Sequence, residues 1–299
     1  MLPTLRQLQY LKLLAEHGSF SRAAEVAHVT QPTLSAGVQE LERVLGAPVV
    51  DRGRSGVILT PVGEEAVRRA RDVLARAEDL VQAARSAGQP LSGRFRLGVI
   101  PTVAPFLLPR ALPALRQRFP ALRLYLREDQ TARLIAALKA GSLDAALIAL
   151  PHDTTGLDTV HVGDDELLAA VPANHPLLAH PTVDPAALER ECLILLEDGH
   201  CLREHVLAAC DMEPPRGGEG EDGSFAATSL HTLVQMVGSG LGVSLLPAMA
   251  VDAGLTEGAA VGVRPLTAKA PSREIVIAWR AGSSRETEAR LLAGALEAI

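Results

Sequence analysis

Two short helical patterns, separated by only three residues, limit the fold of this chain more than any other feature of its sequence. The first covers residues 20–27, the break covers residues 28–30, and the second begins with Gln31 and Pro32 and ends at Gly46. The threonine that closes the break can cap the second helix, and proline is tolerated in a first turn because its missing N–H is not needed there. With a further helical pattern before them, they predict a helix-turn-helix.

The second helix begins with small polar side chains that suit a nucleic-acid surface, since hydroxyl and amide groups can bond base edges and phosphates. The candidate DNA contacts are Gln31, Pro32, Thr33 and Ser35, with Gln39 one turn on. A β-like run at residues 48–60 then flanks a basic glycine turn, which predicts a wing that offers Arg52 and Arg54 to phosphates. Two small helices that only pack a core would show the same spacing, so this alternative stays open.

Residues 61–90 predict one long helix with a single apolar stripe that runs from Val67 to Ala84. Thr60 can cap this helix and Pro61 fits its first turn. A stripe of this length needs a partner, and a second copy of the same helix is the simplest one. The alternative is that the helix packs on its own wing domain.

From residue 91 onward, predicted strands and helices alternate, which is typical of an open α/β sheet. Ligands of such sheets bind at the carboxyl ends of strands, near helix N-termini. Thr102, Thr131 and Ser229 occupy places of this kind. Each of them alone could serve only as a helix cap, so the pattern does not by itself establish a ligand site.

The stretch from Leu195 to Cys210 carries the most reactive chemistry of the chain. An apolar run predicts a buried strand, a glycine breaks it, and a helical pattern follows with Cys201 at its start, between His200 and Arg203. A thiol at a helix N-terminus, beside a possible cation and a guanidinium, is expected to have a lowered pKa. The lowered pKa would favour the thiolate, which is the form that reacts with oxidants.

The spacing of the two cysteines in this stretch has a structural consequence. If the segment is helical, the Cα atoms of Cys201 and Cys210 lie roughly 13 Å apart at about 1.5 Å rise per residue, whereas a disulfide needs about 7 Å or less. Either the segment is not helical, or closing the bond unwinds it. Both cysteines could instead be small buried hydrophobes. A zinc site formed with His200 and His205 lacks paired ligand spacing, so we predict no metal and no other cofactor.

Composition limits the classes of protein to which the chain can belong. At 299 residues the chain can form two domains, and its three cysteines argue against a disulfide-stapled secreted protein. Neither a leader-like start nor an apolar run of about 18 residues is present, so we expect a soluble cytoplasmic protein without membrane contact. The net charge of −6 gives no general sign of nucleic-acid binding.

Several motifs resemble a known family. SRAAEVAHVTQPTLSAGVQELERVLG, followed by Pro61-Val62-Gly63, resembles the LysR-type transcriptional regulators. LGVIPTVAPFLLP, LLEDGHCLRE and ATSLHTLVQMV are similar to the hydrogen-peroxide sensors of the OxyR type within that family. The resemblance implies an α/β fold with an α-rich N-terminal domain and a two-lobed effector domain like periplasmic binding proteins. The implied bounds are 1–60 for the winged helix-turn-helix, 61–90 for the linker helix, 91–163 with 267–299 for lobe I, and 164–266 for lobe II.

The same resemblance implies roles for individual residues. Cys201 would be the peroxidatic cysteine and Cys210 the resolving one. The residues implied to line the peroxide pocket are Thr102, Thr131, His200, Arg203 and Arg273. Phe225 would move when the disulfide forms, and Cys192, which precedes an apolar run, is predicted to belong to the core.

These expectations describe a non-enzymatic transcriptional regulator in which peroxide oxidises Cys201 and Cys210 closes a disulfide. The expected partners are double-stranded promoter DNA, hydrogen peroxide, further copies of the chain in a dimer of dimers, RNA polymerase, and thiol reductants such as glutaredoxin or thioredoxin. One alternative is a LysR-type regulator that binds a small anionic metabolite through Thr102, Ser229 and Arg273. Another is a thiol peroxidase, against which the helix-turn-helix argues.

Overall fold

The computed structural model describes residues 2–53, 56–86, 90–212, 226–267 and 272–298, which form an N-terminal and a C-terminal unit. Arg54 and Phe225 lie outside the described residues. None of the helices that the structure describes combines the length and the apolar character needed to cross a bilayer.

The N-terminal unit is a three-helix cluster followed by a hairpin and a long helix. Its elements are α1 (Leu5–His17), α2 (Phe20–Val26), α3 (Gln31–Leu45), β1 (Val50–Gly53), β2 (Gly56–Leu59) and α4 (Pro61–Ser86). Leu11, Leu14 and Leu34 are among the fully buried side chains that hold the three helices together. The predicted helix-turn-helix, wing and long helix are therefore confirmed as elements.

Local chemistry explains where these elements begin and end. The Thr30 hydroxyl accepts the backbone N–H of Thr33, which caps α3 as expected, and Gly46 ends the helix in a left-handed conformation. At Gly63, in the first turn of α4, a Cβ atom would lie 1.9 Å from the carbonyl oxygen of Val49. Only glycine allows the long helix to start so close to the wing.

The C-terminal unit alternates strands and helices, as predicted. Its first half comprises β3 (Gly93–Val99), α5 (Ala104–Arg118), β4 (Leu122–Glu128), α6 (Thr131–Lys139), β5 (Ala145–Leu150), β6 (Leu157–Asp165), β7 (Leu167–Pro172), a 3-10 turn (Pro176–Ala179) and α7 (Pro185–Leu188). Its second half comprises β8 (Leu195–Leu196), α8 (Cys201–Ala209), β9 (Ala226–Ala227), α9 (Leu230–Gly238), β10 (Ser244–Pro247), α10 (Ala248–Asp252), β11 (Val261–Pro265), β12 (Arg273–Arg280) and α11 (Glu286–Leu296).

Two main sheets divide this unit into two lobes. The five-stranded sheet has the order β4-β3-β5-β12-β6, and the three-stranded sheet has the order β10-β7-β11. Strand β12 comes from the end of the chain and pairs antiparallel with both β5 and β6, so the last strand completes the first sheet. Each sheet has its own hydrophobic core, and the start of β12 lies beside the ends of β5 and β6, where the two lobes meet.

Candidate functional site

Helix α8 places the Cys201 thiol at the junction between a short strand and a helix. The strand β8 is followed by a turn in which Gly199 has a φ of 91°, a left-handed value that favours glycine. His200 is the N-cap residue and Cys201 is the first residue of the helix. The sequence therefore predicted this junction correctly, and the helix dipole at this end favours a thiolate.

A narrow cleft leads to the thiol. Its lining consists of Ile100, Pro101, Thr102, Gln130, Thr131, Gly199, His200 and Cys201. The space between these atoms totals about 160 Å³, and it is too tight for a water molecule to enter without some adjustment of the walls. Thr102, Thr131 and Cys201 form its buried bottom, whereas Gln130 and Gly199 keep contact with solvent at its mouth.

Of the two predicted arginines, only Arg273, the first residue of β12, stabilises the thiolate of Cys201. The residue is 1% exposed, and its guanidinium binds the carboxylate of Asp165 with N···O distances of 2.7 and 2.8 Å. It also donates to the hydroxyl of Thr102 at 2.8 Å and to the carbonyl oxygen of Thr102 at 3.0 Å. Because the Thr102 hydroxyl accepts from arginine, its own proton is left to be donated into the cleft.

Arg203, the other predicted arginine, does not line the cleft. It donates to the carbonyl oxygen of Leu196 at 3.1 Å and pairs with the carboxylate of Asp198 at 3.0 Å. Burial lowers the pKa of His200, although Glu197 opposes the shift, so this imidazole is neutral near pH 7. Neither residue therefore supplies the positive charge that the sequence led us to expect beside Cys201.

The expectation of a lowered thiol pKa is consequently wrong for this form of the protein. Cys201 is 4% exposed, and its burial raises the pKa of the thiol above the ordinary value of 9.0. The hydroxyl of Thr131 and the charge of Arg273 oppose that increase. Thr131 Oγ1 is buried near the sulfur but makes no hydrogen bond of regular geometry within the described chain. It favours the thiolate by proximity and remains available to another donor or acceptor.

Cys210 lies at the other end of α8, at its C-cap, and is 1% exposed. Burial, followed by the charge of Glu189, raises its pKa to about 11. Both cysteines are free thiols, and the helix between them is intact. They belong to different cores, since Cys201 packs with the five-stranded sheet and Cys210 with the three-stranded sheet. The sequence argument that a continuous helix keeps them apart is confirmed.

Cys192 is exposed, so its predicted place in the core is wrong. The β-bridge of the following apolar run begins at Leu193, which pairs with Val243 and is buried. Cys192 contributes its carbonyl oxygen to the N–H of Val243, while its side chain faces solvent. Burial follows the apolar run only from its first β-paired residue, so the residue just before that can be exposed.

Three polar residues near the site were not among those predicted to line it. Gln130 lines the cleft, Asp165 holds Arg273, and His205 is buried one turn after Cys201. Its ring nitrogens make no hydrogen bond of regular geometry within the described chain, although the backbone of Pro151 lies close enough to oppose the lowering of its pKa. Burial lowers the pKa of His205, and Arg273 adds to the effect. The described residues contain no group of three or more His, Cys, Asp or Glu that could hold a metal. Gln130 had a sequence signal because it precedes Thr131, and His205 entered the sequence argument only as a possible zinc ligand.

The candidate DNA contacts lie at the start of α3. Gln31, Pro32 and Thr33 are exposed there, and Ser35 is half-buried. The Gln31 amide oxygen accepts from the hydroxyl of Ser21 at 3.0 Å, which joins α2 to α3. Arg52 lies on β1 of the wing, and β1 pairs antiparallel with β2.

Comparisons with known proteins agree with this architecture. Residues 5–64 match the model of the bacterial regulatory helix-turn-helix protein, lysR family, and residues 88–298 match the LysR substrate binding domain. The HTH-type transcriptional regulator EstR of Acinetobacter baylyi is 40% identical over 300 residues, covering 100% of this chain and 97% of EstR. The dual regulator OxyR of Escherichia coli K12 is 40% identical over 294 residues, covering 98% and 95%.

Solved structures of OxyR proteins are also similar. A full-length cysteine variant from Pseudomonas aeruginosa superimposes with a TM-score of 0.79 at 38% identity, covering 99% of this chain and 98% of the other. An H2O2-bound cysteine variant from Corynebacterium glutamicum gives a TM-score of 0.66 at 32% identity, covering 100% and 92%. The resemblance to OxyR-type proteins is confirmed, and the chain belongs to the LysR family of bacterial transcriptional regulators.

Proposed function

We propose that this regulator senses hydrogen peroxide through Cys201 and records it as a disulfide with Cys210. The observation that carries the proposal is a thiol at the bottom of a cleft that suits only a very small ligand, beside the hydroxyls of Thr102 and Thr131. A second thiol at the far end of the same helix completes the chemistry. The similarity to proteins named as hydrogen peroxide-inducible genes activators supports the proposal.

The proposed chemistry balances without a cofactor. The Cys201 thiolate attacks one peroxide oxygen, the S–O bond forms as the O–O bond breaks, and the departing hydroxide takes up a proton to become water. The hydroxyls of Thr102 and Thr131 orient the peroxide, and Arg273 stabilises the thiolate. The Cys210 thiol then displaces water from the sulfenic acid on Cys201 and forms the disulfide.

Closing the bond requires α8 to unwind, because about 13 Å separates the Cα atoms of residues nine positions apart in a helix. We propose that the resulting repacking changes how copies of the chain assemble, and thereby the spacing of the helix-turn-helix units on promoter DNA and their contact with RNA polymerase. Cytoplasmic thiol reductants such as glutaredoxin or thioredoxin would return two electrons and two protons to the disulfide and reset the protein.

Peptide mass spectrometry after brief, low-dose peroxide tests this function. We expect a peptide pair that contains Cys201 and Cys210 and has lost two hydrogens, while Cys192 stays a free thiol. Cys192→Ser should leave the reaction unchanged, and Cys201→Ser should abolish it. Oxidation of Cys192 with both other thiols intact would refute the proposal.

The similarity to EstR, whose name does not refer to peroxide, keeps a metabolite-binding regulator as the second candidate. The geometry of its expected ligands argues against it. Arg273 already binds Asp165 and Thr102, and the Ser229 hydroxyl caps α9 by accepting the N–H of Thr232. Footprints of the reduced and oxidised protein on its own upstream DNA separate the two candidates, since a metabolite sensor would bind DNA equally in both forms. Repeated peroxide turnover with added reductant would instead indicate a thiol peroxidase.

A further inference from the structure

The mouth of the cleft is closed by a contact between its two sides. Gln130 lies just before α6, and its side-chain amide donates to the carbonyl oxygen of Asp198 at 3.2 Å. Asp198 lies in the turn that leads into Cys201, and its carboxylate holds Arg203. The hydrogen bond therefore joins the five-stranded lobe to the turn that carries the thiol.

Gly199 brings the two sides so close that a side chain could not fit between them. A Cβ atom on this residue would lie 2.7–2.8 Å from the amide oxygen, carbon and nitrogen of Gln130. The amide thus packs flat against the backbone of the turn. Both residues retain solvent contact, whereas the cleft bottom at Thr102 and Thr131 is buried.

We propose that Gln130 is a specificity-determining gate, which admits hydrogen peroxide to Cys201 and excludes larger hydroperoxides. This inference rests on the proposed function and adds a residue to it. Any hydroperoxide, ROOH, would oxidise the thiol to a sulfenic acid and leave as the alcohol, ROH, so chemistry alone does not select the small oxidant. Selection must come from the space over the thiol, and the Gln130 amide occupies the entrance to that space.

The test compares oxidation rates of Cys201 with hydrogen peroxide and with cumene hydroperoxide in the reduced full-length protein. We expect Gln130→Ala to raise the ratio of the cumene hydroperoxide rate to the hydrogen peroxide rate roughly tenfold, which is the scale on which a steric change in a pocket alters discrimination. Gln130→Leu keeps a side chain of similar size but lacks the amide donor, so it should move the ratio in the same direction by a smaller factor. Gln235→Ala, at an exposed position on α9, is the matched control and should leave the ratio unchanged.

A ratio that stays at the wild-type value in both Gln130 variants would overturn the gate. A parallel series with a small and a bulky alkylating reagent, iodoacetamide and N-cyclohexylmaleimide, reports access to the same thiol without any peroxide. If wild-type Cys201 does not react with peroxide, the proposed function fails, and the alkylation ratio still decides the gate. Equal alkylation ratios in wild type and Gln130→Ala would reject it.

Discussion

Thr131 faces a sulfur atom whose reactivity depends on how much thiolate is present. Its hydroxyl favours the thiolate of Cys201 but has no regular hydrogen-bond partner among the described residues, so removing it leaves no other group unpaired. We expect Thr131→Val to slow Cys201 oxidation at neutral pH by a factor of about three to ten and to shift the rate profile to higher pH. Stopped-flow measurements between about pH 6 and 9 would show this. Thr131→Ser should restore the rate, and an unchanged profile in the valine variant would contradict the role.

Protonation of His205 is expected to affect the free energy of unfolding. Its pKa is lowered in the folded protein from an ordinary value of 6.5, chiefly by burial, so below that pH the unfolded chain binds a proton that the folded chain does not. Stability is fully present above pH 6.5 and decreases as the pH falls toward the folded-state pKa, with a slope of up to about 1.4 kcal/mol per pH unit. His205→Gln should flatten this decrease in urea unfolding experiments. The exposed His180→Gln serves as the control, and equal slopes in both variants would disprove the assignment.

At the scale of the element, the proposed disulfide requires α8 to change its conformation. Its backbone hydrogen bonds are intact while Cys201 and Cys210 are reduced. We expect hydrogen–deuterium exchange over residues 202–210 to accelerate when peroxide is added, because a helix that bends to close the disulfide loses its amide protection. The Cys210→Ser variant should keep its protection after the same treatment. Protection that survives a complete Cys201–Cys210 disulfide would mean that the helix does not unwind.

At the scale of the whole molecule, α4 exposes apolar side chains along one face of its described part. Val73, Ala77 and Leu80 recur at helical spacing, and Leu80 is 73% exposed. We expect Leu80→Glu to shift the protein toward monomers in sedimentation velocity and to weaken operator binding, because two helix-turn-helix units then no longer bind as one. Glu78→Ala, an exposed position on the other side of the helix, should change neither. A Leu80→Glu protein that stays oligomeric would place the interface elsewhere.

The sequence correctly predicted the features that depend on residues close together along the chain. Thr30 as a cap, Gly46 as a helix end and Cys201 as a first helical residue follow from local patterns, and all three are confirmed. The sign of the Cys201 pKa shift was wrong because it depends on burial by distant segments. The partnership of Arg273 with Asp165, which lies 108 residues earlier, likewise becomes visible only when β12 joins the first sheet. Pattern and spacing do not contain that information.

The buried positions of Cys201 and Cys210 also shield these two thiols from dissolved reagents. Exposed Cys192 is the thiol that dissolved electrophiles and tripeptide thiols can meet, so mild labelling of the native protein should tag it first. Modification of that kind would fall on a residue that the proposed disulfide does not include. With the function proposed above, the buried thiols would react with a small uncharged oxidant and stay out of reach of larger thiols and electrophiles.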